Sequence, residues 1–436
     1  MIVALMIQAA YNLVNDVWVA GLGPPALAAV GVVAPVFMVV IGMSNGLGAG
    51  VSSAISRRIG AGDKAGADST ATQAIILVIV VSAILTVCLL GLAGPILAAM
   101  GAGSSLELAL EYGNIVFAGS ILAVFSAMAF AILRGEGDTK RTMYAMAAGS
   151  LVNAVLDPVL IYWAGLGVAG AAWGTVFSML LVSLVQVYWL FIKKDTYVSI
   201  SMRGFCLCRN IMADILQVGI PASIEFLFYS IDAVIINAML VRVSGTDAVA
   251  VYTAGWRVIF VALVPLIAIA TAEISVAGAA FGARRFDSLS VIHSYSTKLG
   301  LGIGLATALF TGIFAPQITA LFTFSVESAH LAPTLVAFMH AMCLFYPFVS
   351  PGIMSASLFQ GAGKGLTSLF LNLLRDVILV TMMAFVLGMI LGLGEQGIWW
   401  GIVFGNISGS LVSYLWAKLY ISRLIKDKGL DSMRRD

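Results

Sequence analysis

Apolar residues run along this chain in long blocks rather than in the short alternations of a soluble fold. A helix that crosses a bilayer needs about 20 consecutive apolar residues. Blocks of that length, separated by charged or Gly/Pro-rich breaks, predict twelve helices near residues 1–22, 29–56, 69–98, 108–133, 142–163, 168–192, 212–241, 248–281, 290–321, 331–358, 367–391 and 398–421. Basic residues collect at every second break. Arg57, Arg58 and Lys64 follow helix 2, and Arg134, Lys140 and Arg141 follow helix 4. Lys193, Lys194, Arg203 and Arg209 follow helix 6, Arg284 and Arg285 follow helix 8, Lys364 follows helix 10, and Arg423 to Arg435 close the chain. The other breaks carry almost none, apart from Arg242 and Arg257. Lysine and arginine gather on the cytoplasmic side of membrane proteins. A multi-pass protein of the plasma membrane with both termini cytoplasmic is therefore expected.

Composition agrees with that class. The 436 residues are 61% hydrophobic and 10% charged, whereas a soluble domain carries about 25% charged residues. Lipid must then be the solvent for most of the chain. A formal net charge of +2 without a basic cluster excludes a nucleic-acid partner. Cys88, Cys206, Cys208 and Cys343 form no ligand pattern beyond one C-x-C, and His293, His330 and His340 show no ligand spacing. No metal and no cofactor are expected. The chain has no G-x-x-x-x-G-K-[ST] loop, so ATP hydrolysis on it is not expected, and it is not read as an enzyme.

The two halves repeat. Gly167-Val-Ala-Gly170-Ala-Ala-Trp173-Gly174 recurs as Gly394-Glu-Gln-Gly397-Ile-Trp-Trp400-Gly401 at a displacement of 227 positions, and Arg134-Gly-Glu-Gly137-Asp138 as Gln360-Gly-Ala-Gly363-Lys364 at 226. Ser53, Gly60, Asn15 and Gly23 meet Ser275, Gly282, Asn237 and Gly245 at 222. An all-α fold of two six-helix lobes follows: 1–192, a linker over 193–210, and 211–436. Six helices per repeat give both lobes one orientation, related by a pseudo-two-fold axis along the membrane normal. Transporters place substrate between such halves, which then rock about it. The first helix is expected to be shortened, because about ten residues of helix 7 (210–220) would align before Met1.

Charges inside the spans mark candidate sites, since a carboxylate at the bilayer centre costs about 2.5–3.5 kcal/mol on insertion scales. Asp16, Asp157, Glu225, Asp232, Glu273 and Asp376 fall there, with Arg375 as the one comparably placed cation. Such an acidic interior suits protons, metal cations or organic cations. Asn153 lies four residues before Asp157, on the same helix face. Pro158 follows Asp157 and loosens the backbone behind it, so a buried carboxyl there can hold a proton; the plainer alternative is an Asp that caps a helix break. Glu225, Tyr229 and Asp232 share a face at i, i+4, i+7 spacing and form a second candidate cation set. Glu273 either joins that set or pairs with a neighbour, and both acids of helix 7 could equally line a solvated vestibule. Asp376 beside Arg375 reads as a structural ion pair. Tyr11 and Asn15 share a face of helix 1, with Asp16 about 100° away.

These residues resemble those of a known family. Tyr11-Asn-Leu-Val-Asn-Asp16-Val-Trp-Val-Ala-Gly-Leu-Gly23 is similar to the first-helix signature of MATE (multidrug and toxic compound extrusion) transporters. Ser53-Ala-Ile-Ser-Arg-Arg-Ile-Gly-Ala-Gly-Asp63, Leu133-Arg-Gly-Glu-Gly-Asp138 and Asn153-Ala-Val-Leu-Asp-Pro158 resemble the same family, especially its prokaryotic DinF-like branch. The resemblance implies a V-shaped pair of lobes that exports drug-like, often cationic molecules against entering protons or sodium. It also implies ion coupling at Tyr11, Asn15, Asn153, Asp157 and Thr175, with Tyr112 as a further candidate. Tyr112 and Asn237, the repeat partner of Asn15, are the candidates for lining a substrate cavity. The family's first-helix acid would fall on Asn15, and here Asp16 takes the next position, so either a change of helix register turns Asp16 inward as a coupling acid or Asp157 is the sole coupling acid of the amino-terminal lobe. Glu225 and Asp232 are closer in kind to the acids of sodium-coupled relatives.

The resulting expectation is a monomeric secondary antiporter with small organic molecules as substrates, H+ as coupling ion and Na+ as the other candidate. A flippase of related fold for a lipid-linked precursor is the alternative, although a diphosphate headgroup calls for a cationic cavity. An intramembrane prenyl transferase would need a D-x-x-x-D pair within a span, and the chain has none.

Overall fold

Long apolar blocks without water as a partner must satisfy their own backbone groups, and helices do so within one segment. The structure is a computed structural model that describes residues 2–193, 195–201, 207–324 and 328–433, with the side chains of residues 4, 12, 13, 16 and 429–433 excepted. Among the described residues it is all-helical, without a strand. The helices are α1 (Ile2–Ala20), α2 (Pro24–Gly60), α3 (Lys64–Ala99), α4 (Leu106–Ala118), α5 (Ser120–Gly135), α6 (Thr139–Pro158), α7 (Gly167–Val187), α8 (Arg209–Gly282), α9 (Phe286–Ile313), α10 (Ala315–Ala320), α11 (Ala332–Met342), α12 (Phe345–Gly361), α13 (Gly365–Asn372), α14 (Val380–Phe385) and α15 (Gly394–Met433). Single π-turns interrupt or extend several of them, at Val159–Trp163, Tyr188–Lys193, Leu373–Leu379 and Val386–Ile390.

Among the described residues, eight of these helices are long and apolar enough to cross a membrane, or ten when each bent pair forms one span. The bends are 42° between α4 and α5 and 48° between α11 and α12. At 74 residues, α8 would reach about 110 Å at 1.5 Å per residue, far more than one crossing. Gly245 breaks it with φ 78° and ψ −162°, so it supplies two crossings. With α1, these make the twelve that the hydrophobic blocks predict.

The chain divides into two compact units, Met1–Ser223 and Ile224–Asp436. The division falls inside α8 rather than at the expected linker over 193–210, because the first fifteen residues of α8 pack with the amino-terminal unit. There, Gly50 lies against the Ile215 carbonyl and Gly46 against Ser223, while Arg57 and Arg58 both pair with Asp214. The described part of the linker is fastened to the same unit. Val198 N–H donates to Glu136 at 3.0 Å and Ser199 N–H to Asp68 at 2.8 Å, and Asp195 pairs with both Arg141 and Lys193 at 2.7 Å. Burial beneath this segment pushes the Glu136 carboxyl up to about 7. Cys206 and Arg203 lie outside the described residues.

Each unit carries the repeat in its backbone as well as its sequence. Gly23 and Gly245 both take positive φ, as do Gly137 and Gly363, Gly165 and Gly392, and Gly167 and Gly394. A Cβ on Gly170 would stand 2.6 Å from the Leu160 carbonyl oxygen, and one on Gly397 would stand 2.5 Å from that of Leu387. Gly135 lies on the Ser52 carbonyl and Ile55, and Gly361 on the Ile274 carbonyl and Ala277, which are the same partners displaced by 222. Helices approach this closely only where no side chain intervenes.

The repeat contact is open to test. Gly170→Ala and Gly397→Ala should each lower stability by about 1–3 kcal/mol through overpacking, read as thermal unfolding in detergent. Gly302→Ala meets nothing within 4 Å and should be neutral or slightly stabilising. Equal stability of all three variants would show that the close approach is not needed.

Candidate functional site

The Asp157 carboxyl is set by the end of α6. Asp138 starts that helix by accepting from Arg141 N–H at 3.0 Å, and Pro158, which has no N–H to donate, ends its regular turns. Asp157 is 0% exposed and Asn153 is 3% exposed. Asn153 Nδ2 donates to Asp157 Oδ1 at 2.7 Å, and the Tyr11 hydroxyl of α1 donates to Oδ2 at 3.3 Å. Each carboxylate oxygen is therefore answered by a neutral donor. No cation pairs with Asp157 among the described residues. Thr175, which donates to the Ala171 carbonyl at 3.1 Å, stands beside the Tyr11 phenol, as does the buried Tyr112.

Gly174 makes the arrangement fit. A Cβ at that position would lie 2.3 Å from Asp157 Oδ1 and 3.4 Å from Asn153 Nδ2, so only glycine lets α7 close over the carboxyl. The sequence shows Gly174 as a repeat marker, and its partner could not be read there because it lies on another helix. The site belongs to one repeat only. At the displacement of 227, Asp157, Asn153 and Thr175 meet Ala384, Val380 and Ile402, all buried. Gly401 closes on the Ala384 backbone just as Gly174 closes on Asp157.

On α1, Asn15 follows Tyr11 by one turn, and its Oδ1 is buried with no partner among the described residues. The Asp16 side chain lies outside the described residues. Tyr162 fastens the end of α1 by donating to the Trp18 carbonyl at 2.6 Å.

The acids of the carboxy-terminal unit separate into three places. Glu225 accepts from Ser368 at 2.9 Å and from Gln360 at 3.2 Å. Arg375 makes a two-pronged pair with Asp376, Nε to Oδ1 at 2.7 Å and Nη2 to Oδ2 at 2.8 Å. Tyr229 stands between these two groups, near Glu225, Arg375 and Asp376. Asp232 lies near Asp376 and Tyr252, with its Oδ1 buried and unpartnered among the described residues. Asn237 Oδ1 is likewise buried without a partner. Glu273 is placed apart from this set. Its Oε1 lies 3.0 Å from His293 Nδ1 on α9, so the alternative of pairing with a neighbour is the one adopted. Sequence spacing could not find His293, since the pair joins two different helices. Among the other histidines, His330 meets Asp247 at the surface, and His340 meets the Gly312 carbonyl.

Glycine at 174 should be required for this geometry. Gly174→Ala should displace the carboxyl and lower stability by about 1–3 kcal/mol. Asp157→Asn keeps the shape and removes the charge, and should leave stability unchanged or raise it. Thermal unfolding of the two variants separates the cases. A stable Gly174→Ala beside an unstable Asp157→Asn would contradict the contact.

Comparison with known proteins agrees with this architecture. The family model for MatE matches residues 1–159 and 221–389. The probable multidrug resistance protein YoeA of Bacillus subtilis (strain 168) is 26% identical over 421 residues, covering 93% of this chain and 89% of that protein. The outward-facing structure of a multidrug resistance MATE family transporter of the MOP superfamily is 42% identical, with a TM-score of 0.95, over 98% of this chain and 94% of the other. A MOP superfamily transporter from Pyrococcus furiosus Vc1, described as having a binding pocket of reversed polarity that suggests a different function, is 41% identical with a TM-score of 0.94, over 97% of this chain and 95% of the other. With twelve crossings in two units and a family match over both repeats, this chain belongs to the MATE family of multidrug efflux transporters.

Proposed function

We propose that this protein is a secondary antiporter that exports drug-like, often cationic molecules by alternating access, in exchange for protons bound at Asp157. One observation carries the reading: a fully buried carboxyl within an apolar, membrane-length helix whose described partners, Tyr11 and Asn153, are both neutral. A carboxylate with a fixed cation beside it is already compensated. One with neutral donors alone changes its net charge whenever an ion binds or leaves. Ion binding and substrate binding then compete, and the state that favours each can differ. The basic breaks support cytoplasmic termini, and the same reading takes the protein as a monomer of the plasma membrane whose chemistry is transport rather than catalysis. Sodium is the other candidate ion, with Glu225, Tyr229 and Asp232 as its carboxyl and phenol set.

The likeness to the Pyrococcus furiosus transporter favours a second reading, a flippase for a lipid-linked precursor, because pocket polarity in that protein is described as reversed. Efflux of ethidium from proteoliposomes tests both readings. A proton gradient alone should drive efflux, and Asp157→Asn should reduce it by about 5–150-fold, the range of ordinary coupling energies. Efflux with sodium alone would move the coupling ion to Glu225 and Asp232. No efflux under either gradient, from folded protein, would favour the flippase.

A further inference from the structure

Glu273 and His293 form a buried pair that neither the fold nor the Asp157 site uses. Glu273 is 2% exposed and His293 is 1% exposed. They face each other across α8 and α9 at 3.0 Å. The second oxygen of the carboxyl and the second nitrogen of the ring are both buried and have no hydrogen-bond partner among the described residues. Ser296 stands beside the Glu273 carboxyl.

The repeat shows that the scaffold does not need this pair. At the displacement of 222 that matches Gly60 to Gly282, Glu273 and His293 correspond to Val51 and Ala71. Both are fully buried in the amino-terminal unit, whose α2 and α3 make the corresponding helix pair. One copy of the fold therefore closes this contact with two small apolar side chains, and the other places an acid and an imidazole there. Buried polar pairs replaced by apolar ones often leave stability unchanged or improved, so a purely structural purpose does not account for them.

Two residues of α15 adjoin the His293 ring and extend toward the surface. On α15, the Tyr414 ring lies 5.4 Å from the His293 ring. The ammonium of Lys418, an exposed residue, sits 4.9 Å from the centre of that same Tyr414 ring. The other ionisable groups are directed elsewhere. Between Arg257 and Gly282, α8 carries only Glu273. On α9, Asp287, Tyr295 and Lys298 are exposed. The single titratable residue of α12, Tyr346, lies at its other end against Gly304. The α11 residue His340 is bonded to the Gly312 carbonyl, and Arg375 is paired with Asp376.

We propose that Glu273 and His293 form a second proton-binding site, within the carboxy-terminal unit, that exchanges protons past Tyr414 and Lys418 of α15. This rests on the antiport reading and adds a carrier to it. With an ionised carboxyl and a neutral ring, the pair has one negative charge. It takes one proton from water onto the Glu273 carboxyl, and acid and ring are then both neutral. Burial favours that neutral state over either charged one. Gly361, next to Gln360 that donates to Glu225, packs on the backbone of Ile274 beside Glu273, so the two acids are linked through neighbouring residues.

Infrared difference spectra of the full-length chain in lipid, between about pH 5 and pH 10, read carboxyl protonation directly. The parent should show a titrating carboxyl component that Glu273→Gln removes and Asp157→Asn retains, with a loss of one proton taken up per chain. The double variant Glu273→Val with His293→Ala installs the other repeat's own residues, and should unfold at the same temperature as the parent or higher. Identical spectra for the parent and Glu273→Gln would overturn the proposal. A double variant that unfolds earlier or fails to fold would also overturn it, by making the pair a structural support. Spectra need no transport, so a titrating Glu273 in a chain that moves no drug would refute antiport alone. Efflux without any Glu273 component would refute this inference alone.

Discussion

The closure of α7 over the Asp157 carboxyl at Gly174 is the contact on which the candidate site depends. In lipid, a polar group without a partner is held there at a cost of several kcal/mol. The local answer is two neutral donors, Asn153 and Tyr11, and a glycine that leaves room for the acid. Pro158 then prevents the helix from continuing regularly past the carboxyl. Each of these residues limits what its neighbours can be. A side chain at 174 would displace the acid, and an arginine within reach would neutralise it permanently.

Duplication explains both the regularity of the scaffold and the irregularity of its chemistry. Positive-φ turns and close glycine contacts recur at matching positions in both units, from Gly23 and Gly245 to Gly170 and Gly397. The ionisable groups of the two sites and their partners do not recur. Asp157, Asn153 and Thr175 are answered by Ala384, Val380 and Ile402, while Glu273 and His293 are answered by Val51 and Ala71. Backbone contacts thus keep the fold, and each copy has placed its ionisable groups where the other is apolar. Electrostatic asymmetry of this kind gives two similar bundles different responses to an ion.

Much of this was legible in the sequence because hydrophobic length, basic breaks and glycine spacing are local signals. The twelve blocks match the helices to within several residues, although the breaks at Gly119 and Cys343 bend two spans that hydropathy reads as straight. The i, i+4 spacing put Asn153 and Asp157 on one face, and the structure adds the bond between them. Tyr11 reaches that acid across 146 positions, which only the family resemblance indicated. Gly174 and His293 were visible as residues and not as partners, since their contacts join separate helices. Sequence left Glu273 either joining the Glu225 set or pairing with a neighbour, and packing gives it to His293. The unit boundary shifted for a similar reason, because ionic contacts of Arg57 and Arg58 with Asp214 leave no trace in hydropathy.

Competition between ion and substrate for one negative charge is the central claim, and proton release reports it without any gradient. Adding a cationic drug such as ethidium to the purified protein in weakly buffered detergent solution should acidify the solution, with Asp157→Asn releasing at least one proton fewer per drug bound. Equal release from the parent and from Asp157→Asn, at equal drug occupancy, would contradict the account.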